Sequence, residues 1–422
     1  LALERIGFLA TLEITNNEGD AVITDFSSAL TFHVYVQGED DNWVREEASD
    51  LFFVKPPVLA GVNDVDGQGL IEPGETARIE WFIIPKISAG GESPVGVRYE
   101  VGAQLGGSIY GEEIDPAVLE VISDNITVKP EPQLEITYFQ PRDVDGDDPF
   151  TMDVVESPIP FIVGALVKNV GYGIARQVKI ESQQPKIINP EGLIIIAQLL
   201  GARVDDQPTD ESSLTVHLGD LEPGRCKKGA WDMITSLSGE FIEFNASYTH
   251  ASELGGEATS IITSIDAHFI AKEVLNDQPG RDDLLDFLAD KDDDPDLIPD
   301  TLYESDCNIL PVNRLEVDEN QVAVAGMVAT IPVVSDRVGW VYFRLTDPKQ
   351  AKFPIESVLR SDGKLLNPNN YWTHIRFRRE DNRKLTYLNV FDFVTLGDYE
   401  YTVTYGQIAP DGEPPVTRIR FT

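Results

Sequence analysis

The chain has 422 residues and carries 72 Asp and Glu against 33 Lys and Arg, a formal net charge of −39. A surface this negative repels phosphate backbones and anionic bilayers, which argues against nucleic acid or membrane surfaces as partners. Because 42% of the residues are hydrophobic and 9% aromatic, the acidity does not indicate disorder, and the length predicts about three folded domains.

The two ends of the sequence indicate whether the chain is expected to be part of a longer protein. Leu1 opens the chain without an initiator Met or a signal peptide, and the last residues alternate in polarity like a strand. No stretch approaches the roughly 18–20 uninterrupted apolar residues of a membrane-spanning helix. We therefore expect a fragment of a longer secreted or cell-surface protein, with no direct membrane insertion in this segment.

Strand signals begin at the start of the chain. Residues 9–15 alternate in polarity and are closed by a turn at residues 16–19. Residues 76–84 alternate in the same way and predict a half-buried antiparallel strand. Its apolar face comprises Ala77, Ile79, Trp81 and Ile83. Many short strands separated by Gly, Pro, Asn and Asp favour an all-β protein built of sandwiches.

An acidic loop at residues 64–75 has the spacing of a calcium site. Aligned to a twelve-residue calcium loop, Asp64, Asp66 and Gln68 occupy positions 1, 3 and 5, and Glu75 occupies position 12. Gln68 departs from the usual Asp or Asn, and the flanks are typical of strands rather than helices. The alternative is a polar turn in which Asp and Gly serve turn geometry alone.

A domain boundary is predicted near residues 128–132, where prolines interrupt a strand-like stretch. This gives a first sandwich at 1–129 and a second at 130–269. A second acidic phrase follows the boundary, and Asp143, Asp145 and Asp147 are predicted to form another calcium site, with an acidic turn as the alternative. Two N-glycosylation sequons are present, at Asn125 and Asn245.

Residues 166–180 and 218–224 of the second domain follow the pattern V-x-N-x-G-x-x-x-A-x-x-V-x-I … L-x-P-G. This pattern resembles that of CARDB-type domains, which are immunoglobulin-like modules of extracellular adhesion proteins. In it, Asn169 and Gly171 are expected to hold a strand-end turn that needs positive φ. The first domain contains a similar phrase at residues 71–75. The resemblance implies a multidomain surface protein whose modules act as spacers or adhesive units, and it implies no catalytic residues.

The periodicity changes after residue 269. Residues 282–288 have the apolar spacing of a short helical turn, and residues 291–296 are strongly acidic, with Asp292, Asp293, Asp294 and Asp296. We predict an acidic, partly helical connector at 270–310. A cation could stiffen the joint there, but a solvated acidic linker is the preferred interpretation of these acids.

A third sandwich, immunoglobulin-like or fibronectin type III-like, is predicted at 311–422. Residues 371–377 and 385–393 predict a hairpin, and residues 396–403 are typical of a tyrosine corner, with Tyr399 as a buried, hydrogen-bonded residue. The whole chain is thus predicted to be all-β, with tandem immunoglobulin-like β-sandwich domains and one short connector.

The two cysteines, Cys226 and Cys307, are too few for a disulfide scaffold and lack the spacing of a zinc site. One disulfide that ties the connector to the second domain is predicted from the oxidising context. Two unpaired buried thiols remain the alternative.

No enzyme signature stands out. The five histidines are scattered without metal spacing, and no nucleophile elbow or phosphate loop is present. We expect a non-catalytic structural or adhesive segment whose tandem spacers are stiffened by calcium and contact neighbouring domains, further copies, or a protein or glycan ligand. One alternative is a subunit of an extracellular filament. Another is a carbohydrate-binding accessory region of a secreted enzyme, binding glycans through Trp43, Tyr371 or Trp372.

Overall fold

A computed structural model describes residues 1–37, 42–115, 119, 121–147, 158–182, 186–188, 195–210, 213–243, 246–251, 257–259, 261–292, 298–378 and 383–407. This part of the chain consists of strands joined by turns, with 3₁₀ turns at Ser49–Leu51, Glu319–Gln321 and Pro368–Asn370 and no α-helix. The predicted all-β fold of tandem sandwiches is confirmed.

The first sandwich contains eleven strands. They are β1 Ala2–Leu3, β2 Phe8–Thr15, β3 Ile23–Gln37, β4 Trp43–Glu47, β5 Phe52–Val54, β6 Val58–Ala60, β7 Asp66–Ile71, β8 Thr76–Pro85, β9 Val97–Ile109, β10 Glu112–Glu113 and β11 Asp124–Lys129. One sheet has the order β1-β11-β9-β3-β4, with β7 on β3 and β10 on β9, and the facing sheet has the order β2-β8-β5, with β6 on β8. The predicted alternation of β8 is confirmed, since its four inward residues are buried in the core between the sheets.

The second sandwich contains thirteen strands. They are β12 Gln133–Gln140, β13 Asp143–Val144, β14 Phe161–Asn169, β15 Ala175–Ser182, β16 Lys186–Ile188, β17 Ala197–Val204, β18 Gln207–Pro208, β19 Thr215–Leu221, β20 Cys226–Thr235, β21 Gly239–Glu243, β22 Ala246–Ala251, β23 Glu257–Thr259 and β24 Ile261–Leu275. Its core packs around Trp231, between the β18-β17-β20-β14-β12-β24 layer and the β19-β15-β22-β23 sheet. Strands β13, β21 and β16 form a small third sheet.

The described residues of the connector, 270–292 and 298–310, contain no helix, so the predicted helical turn at 282–288 is wrong. It forms β25 Leu285–Asp290, β26 Thr301–Tyr303 and β27 Ile309–Arg314. Phe287 and Ala289 pack in one apolar cluster, whereas Leu288 packs in another. A strand covered on both faces reads as a continuous apolar run, and a short run of this kind cannot be told from a helical turn by periodicity alone.

The third sandwich adds seven strands. They are β28 Ala323–Ala325, β29 Val328–Ser335, β30 Gly339–Thr346, β31 Ile355–Arg360, β32 Tyr371–Arg378, β33 Arg383–Val394 and β34 Gly397–Tyr405. Its sheets have the orders β27-β30-β33-β32 and β28-β29-β34-β31. The predicted hairpin is formed by β32 and β33. At the predicted tyrosine corner, the hydroxyl of Tyr399 donates to the carbonyl oxygen of Thr395 (3.2 Å), although Tyr399 is half-buried and Tyr401 is the fully buried residue.

One sheet runs through the second sandwich, the connector and the third sandwich. It has twelve strands in the order β18-β17-β20-β14-β12-β24-β25-β26-β27-β30-β33-β32. Pairing is parallel between β12 and β24 and between β27 and β30. The segment predicted as a connector therefore supplies three strands to a sheet shared with both of its neighbours.

The first and second sandwiches share a buried asparagine at the end of a strand. Asn16 follows β2 and donates to the carbonyl oxygens of Ala21 (2.8 Å) and Ile71 (3.0 Å). Asn169 ends β14 and donates to the carbonyl oxygens of Gly173 (2.7 Å) and Leu221 (2.9 Å). In both sandwiches the backbone carbonyl oxygen of this asparagine also accepts the N–H of the glycine in a Glu-Pro-Gly turn, Gly74 in the first and Gly224 in the second. The two sandwiches are therefore structural repeats.

The asparagine turn of the second sandwich does not need positive φ, contrary to our expectation. Neither Asn169 nor Gly171 has a positive φ. A Cβ atom on Gly171 would collide with the backbone nitrogen of Gln133, and one on Gly173 would collide with the carbonyl oxygen of Pro130. These glycines are required because the backbone that joins the two sandwiches passes directly over them.

Candidate functional site at the junction of the second and third sandwiches

Strand β20 places a lysine in the interior of the shared sheet. Lys228 is 1% exposed, and its Nζ lies 2.7 Å from Asp206 Oδ1 and 2.9 Å from Glu273 Oε1. The same atom donates to the carbonyl oxygen of Leu285 (2.5 Å) on β25 and lies over the ring of Phe287, 4.8 Å from its centre. One side chain thus links β20, β24 and β25.

Arg203 on β17 completes this buried ionic cluster. Its guanidinium makes two parallel hydrogen bonds to Asp232, at 3.0 and 3.1 Å, and its Nη2 lies 2.9 Å from Glu273 Oε2. Burial by itself would raise the pKa of Glu273, but the charges of Lys228 and Arg203 overcome it and lower that pKa. Glu273 therefore stays ionised between two cations, and the cluster is a satisfied network rather than a set of isolated charges.

A second polar cluster lies at the turns that flank β25 and β26. Asp286 accepts the N–H groups of Ser305 (2.8 Å) and Asn276 (3.2 Å), and the side chain of Asn276 donates to Glu304. Arg281 Nη2 lies 2.6 Å from Glu304 Oε2. These contacts hold the β24–β25 turn against the turn that carries Cys307.

The stability of this cluster is expected to depend on pH through Asp286. Burial, with a smaller contribution from the charge of Glu304, raises the pKa of Asp286 to about 7, against the bonds from Ser305 and Asn276 and the charge of Lys228, which lower it. The folded state therefore holds the proton of the Asp286 carboxyl more tightly than the unfolded state does. The contribution of this proton to the free energy of unfolding is complete below about pH 4 and is lost as the pH rises to about 7.

Asp286→Asn should therefore flatten the pH dependence of unfolding between about pH 4 and pH 7, as measured by urea denaturation of both proteins. The comparison isolates Asp286 from the repulsion among the many other acids, which both proteins share. An unchanged slope in the variant would contradict the assignment.

The disulfide lies beside these clusters. Cys226 at the start of β20 is bonded to Cys307, in the turn between β26 and β27, with 5.8 Å between their Cα atoms. The bond spans 81 positions of sequence and joins the second sandwich covalently to the connector. These are the two cysteines of the chain, so none is left as a free thiol.

The third sandwich holds the connector from the other side. Asn370, which is fully buried, accepts the N–H of Leu275 (2.8 Å) and donates to its carbonyl oxygen (3.0 Å) at the end of β24. Lys364 Nζ lies 2.8 Å from Asp277 and 2.8 Å from Asp392. The connector therefore has buried polar partners in both neighbouring sandwiches.

The first predicted calcium loop is organised by its own backbone. Asp64 Oδ1 accepts the N–H groups of Asp66 (2.7 Å) and Gln68 (3.2 Å), which is the geometry of the alternative polar turn. Glu75 precedes β8 in one sheet, whereas Asp66 begins β7 in the other. Within the described ranges, no three His, Cys, Asp or Glu side chains come together in a metal-holding group. Calcium binding at this loop stays a prediction.

The second predicted loop is fixed to β21 and the turn before it. Asp143 pairs with Glu240, and Asp147 exchanges backbone hydrogen bonds with Ser236 and Ser238. Burial, together with the charge of Asp143, raises the pKa of Asp145 to about 6. The carboxylates of Asp143 and Asp145 therefore repel each other, and a bound cation would relieve this repulsion. Calcium binding at this second loop also stays a prediction.

The remaining predicted residues are dispersed. Asn125 is exposed on β11 and accepts from Arg98 (3.2 Å), whereas Asn245 and the acids Asp293, Asp294 and Asp296 lie outside the described residues. Among the three aromatics proposed for glycan binding, Trp43 is 69% exposed, but Tyr371 is buried and Trp372 is half-buried against Tyr342. Tyr371 is therefore not one of the exposed aromatics that the carbohydrate-binding alternative requires, whereas Trp43 is exposed and Trp372 is partly so.

Sequence reasoning missed the buried ionic cluster. A signal was present, since Lys228 and Glu273 each lie beside a second charged residue of the same strand, Lys227 or Lys272, and adjacent residues of a strand face opposite sides. A charged residue at such a position is rarely buried unless it is paired. Its partner cannot be named from sequence, because the pairing depends on the order of strands in the sheet.

No family model matches the chain, and no curated protein matches it. The secreted serine protease VesC from Vibrio cholerae is similar over 57% of this chain and 48% of that chain, with 10% identity and a TM-score of 0.16. The N-terminal eight Ig domains of Down Syndrome Cell Adhesion Molecule (DSCAM) isoform 1.30.30 are similar over 90% of this chain and 33% of that chain, with 8% identity and a TM-score of 0.16. The chain spans about half the length of the first structure and a third of the second. At these TM-scores neither similarity bears on function.

Proposed function

We propose that the chain is a non-catalytic structural or adhesive segment of a large secreted or cell-surface protein, in which the second and third sandwiches act as one stiff unit. The observation that carries this proposal is the sheet that continues through the connector. Sandwiches that meet only through a linker are expected to move relative to each other, because interfaces between domains are usually small and polar. A shared sheet removes that freedom.

The chemistry of the junction supports both the stiffness and the compartment. Three kinds of contact converge on β24–β27: a disulfide, a buried ionic cluster and the bidentate amide contact of Asn370 with Leu275. Disulfides persist in oxidising compartments and are rare where thiols are kept reduced, which supports an extracellular location. The described residues include no helix long and apolar enough to cross a membrane.

Single-particle electron microscopy of the purified chain tests the proposal. We expect separate particles in which the second and third sandwiches keep one fixed angle across all class averages. A continuous range of angles would overturn the stiff unit. A regular polymer would instead support the alternative of a filament subunit.

Calcium is the additional stiffening agent that we propose at the two acidic loops. Binding to the folded state alone stabilises it by about 2.7 kcal/mol when calcium exceeds its Kd a hundredfold. Millimolar calcium should therefore raise the melting temperature, and magnesium should substitute poorly because it requires a tighter octahedron.

Paired substitutions separate the two loops. Asp64→Asn with Asp66→Asn should remove the contribution of the first loop, and Asp143→Asn with Asp145→Asn should remove that of the second. If calorimetry detects no heat of calcium binding to the unsubstituted chain, the acids are a solvated surface and the calcium proposal fails.

A further inference from the structure

The hairpin of β3 and β4 carries the most exposed tryptophan of the chain. Trp43 is 69% exposed, whereas the other four tryptophans are buried or half-buried. All five residues of β4 are exposed, and β3 ends at Gln37, beyond its last pairing with β9 at Val34. One exposed aromatic alone is ordinary for a soluble protein, so its meaning depends on the side chains beside it.

The strand register places Tyr35 and Arg45 on the same face of the hairpin as Trp43. Tyr35 pairs with Arg45, and Gln37 pairs with Trp43. Directly paired side chains share a face, and so do residues two positions apart on one strand. Tyr35 is itself 49% exposed. The two aromatic residues are diagonal neighbours, about 7–8 Å apart, so one flat ligand can contact both rings.

The polar side chains on this face are held in place by one another. Arg45 donates two hydrogen bonds to Glu100 of β9, from Nε (3.2 Å) and Nη2 (3.0 Å), and the Tyr35 hydroxyl donates to the same carboxylate (3.0 Å). Hydrogen bonds from Arg45 and Ser123 lower the pKa of Glu100 to about 2, so this carboxylate is ionised at neutral pH. A ligand would therefore have little side-chain freedom left to remove, which favours binding.

The charges of the described residues on this face cancel, in contrast to the net charge of −39 of the whole chain. The strand registers place Arg98 and Glu47 on the same side of the sheet as Arg45 and Glu100, so two cations balance two anions. The hairpin tip, residues 38–41, lies outside the described residues. An anionic ligand would be repelled by the chain as a whole, and the paired acids on this face do not select a cation.

We infer that this face of the first sandwich binds a neutral oligosaccharide, as the ligand of the adhesive role proposed above, on which this inference rests. The C–H groups of a sugar ring carry partial positive charge and pack against the negative face of an aromatic ring. Trp43 and Tyr35 supply such rings. The guanidinium of Arg45 has five N–H groups and directs two of them at Glu100, which leaves N–H groups for the sugar hydroxyls.

A protein partner fits this face less well than a sugar does. Glu is depleted in protein–protein interfaces, and covering the ion pair of Arg45 and Glu100 with a protein would take both charges out of water. A sugar chain is narrow, and its hydroxyls replace the hydrogen bonds of the water that it displaces. The ion pair therefore keeps its polar surroundings when a sugar is bound.

The whole chain, applied to an array of oligosaccharides, tests the inference. The neutral probes are oligosaccharides of glucose, galactose, mannose or N-acetylglucosamine, and the charged probes are sulfated and sialylated oligosaccharides. We expect binding to at least one neutral probe and to no charged probe. Binding to no neutral probe, or equal binding to neutral and charged probes, overturns the inference.

Variants of the chain check the location of the site by calorimetry with the neutral probe that binds best. Trp43→Ala should weaken binding by about thirtyfold or more, the effect typical of a binding hot spot. Tyr110→Ala is the matched control, because Tyr110 is 71% exposed on the same sandwich but bonds to Asp20, away from the hairpin. It should leave binding unchanged. Equal losses in the two variants would overturn the assigned site.

Two further results separate this inference from the proposed function. Particles that keep one fixed angle but bind no neutral oligosaccharide would leave the stiff unit standing and refute the site alone. Sedimentation of the chain without sugar should show no self-association that depends on Trp43. Self-association that Trp43→Ala abolishes would assign the face to a second copy of this chain and overturn the proposed ligand.

Discussion

Replacing Lys228 by Met is expected to destabilise the second sandwich by about 3 to 5 kcal/mol, because removing one partner of a buried ion pair leaves the other uncompensated. The affected groups are Asp206 and Glu273, which lose a cation, and the carbonyl oxygen of Leu285, which loses its donor. Methionine fills a similar volume and contributes no charge. Amide hydrogen exchange in β20 and β25 measures the loss locally, without requiring the whole chain to unfold in one step.

The neighbouring residue provides a matched control. Lys227 also forms an ion pair, with Asp205 at 2.6 Å, but both side chains are partly exposed to water. Exposed pairs contribute about 0 to 1 kcal/mol, so Lys227→Met should have a small effect. Similar losses of stability in the two variants would show that the buried ion pairs of Lys228 contribute no more than the exposed pair of Lys227.

Loss of the disulfide is expected to have an effect of similar size. Chain-entropy models assign on the order of 4 kcal/mol to a bond that closes a loop of this length, and the replacement Cys226→Ala with Cys307→Ala removes it. Exchange should accelerate most in β20 and in the turn between β26 and β27. The third sandwich, whose core cluster lies apart from these residues, should be little affected.

Reduction of the unsubstituted chain is the control for the volume lost in the double variant. Reduced protein and variant should show the same accelerated exchange in β20. If exchange in the reduced chain matches that of the oxidised chain, the bond contributes nothing to the junction, and the buried polar contacts alone hold it.

Local patterns predicted much of the fold because strand formation follows from alternation. The first half of β8 alternates in polarity, and so its two faces could be assigned without knowing its neighbours. The pattern failed at β25, where both faces are covered and alternation disappears. Whether Phe287 lies on a helix or a strand depends on the sheet beside it, which is formed by residues distant in sequence.

The site was less predictable than the fold for the same reason. Cys226 and Cys307 could be paired because the chain has only two cysteines. The partners of Lys228 could not be named, since Glu273 lies on β24, which β14 and β12 separate from β20 in the sheet. Gly171 was identified correctly as important but for the wrong reason. The backbone that requires it belongs to Gln133, which sequence alone does not place there.

The parallel pairing of β12 with β24 determines how the second sandwich responds to tension. β12 enters it from the first sandwich and β24 leaves it toward the third, so a pull on the two ends draws these parallel strands in opposite directions along their length. The eight residue pairs between them then share the load and must break together rather than one after another.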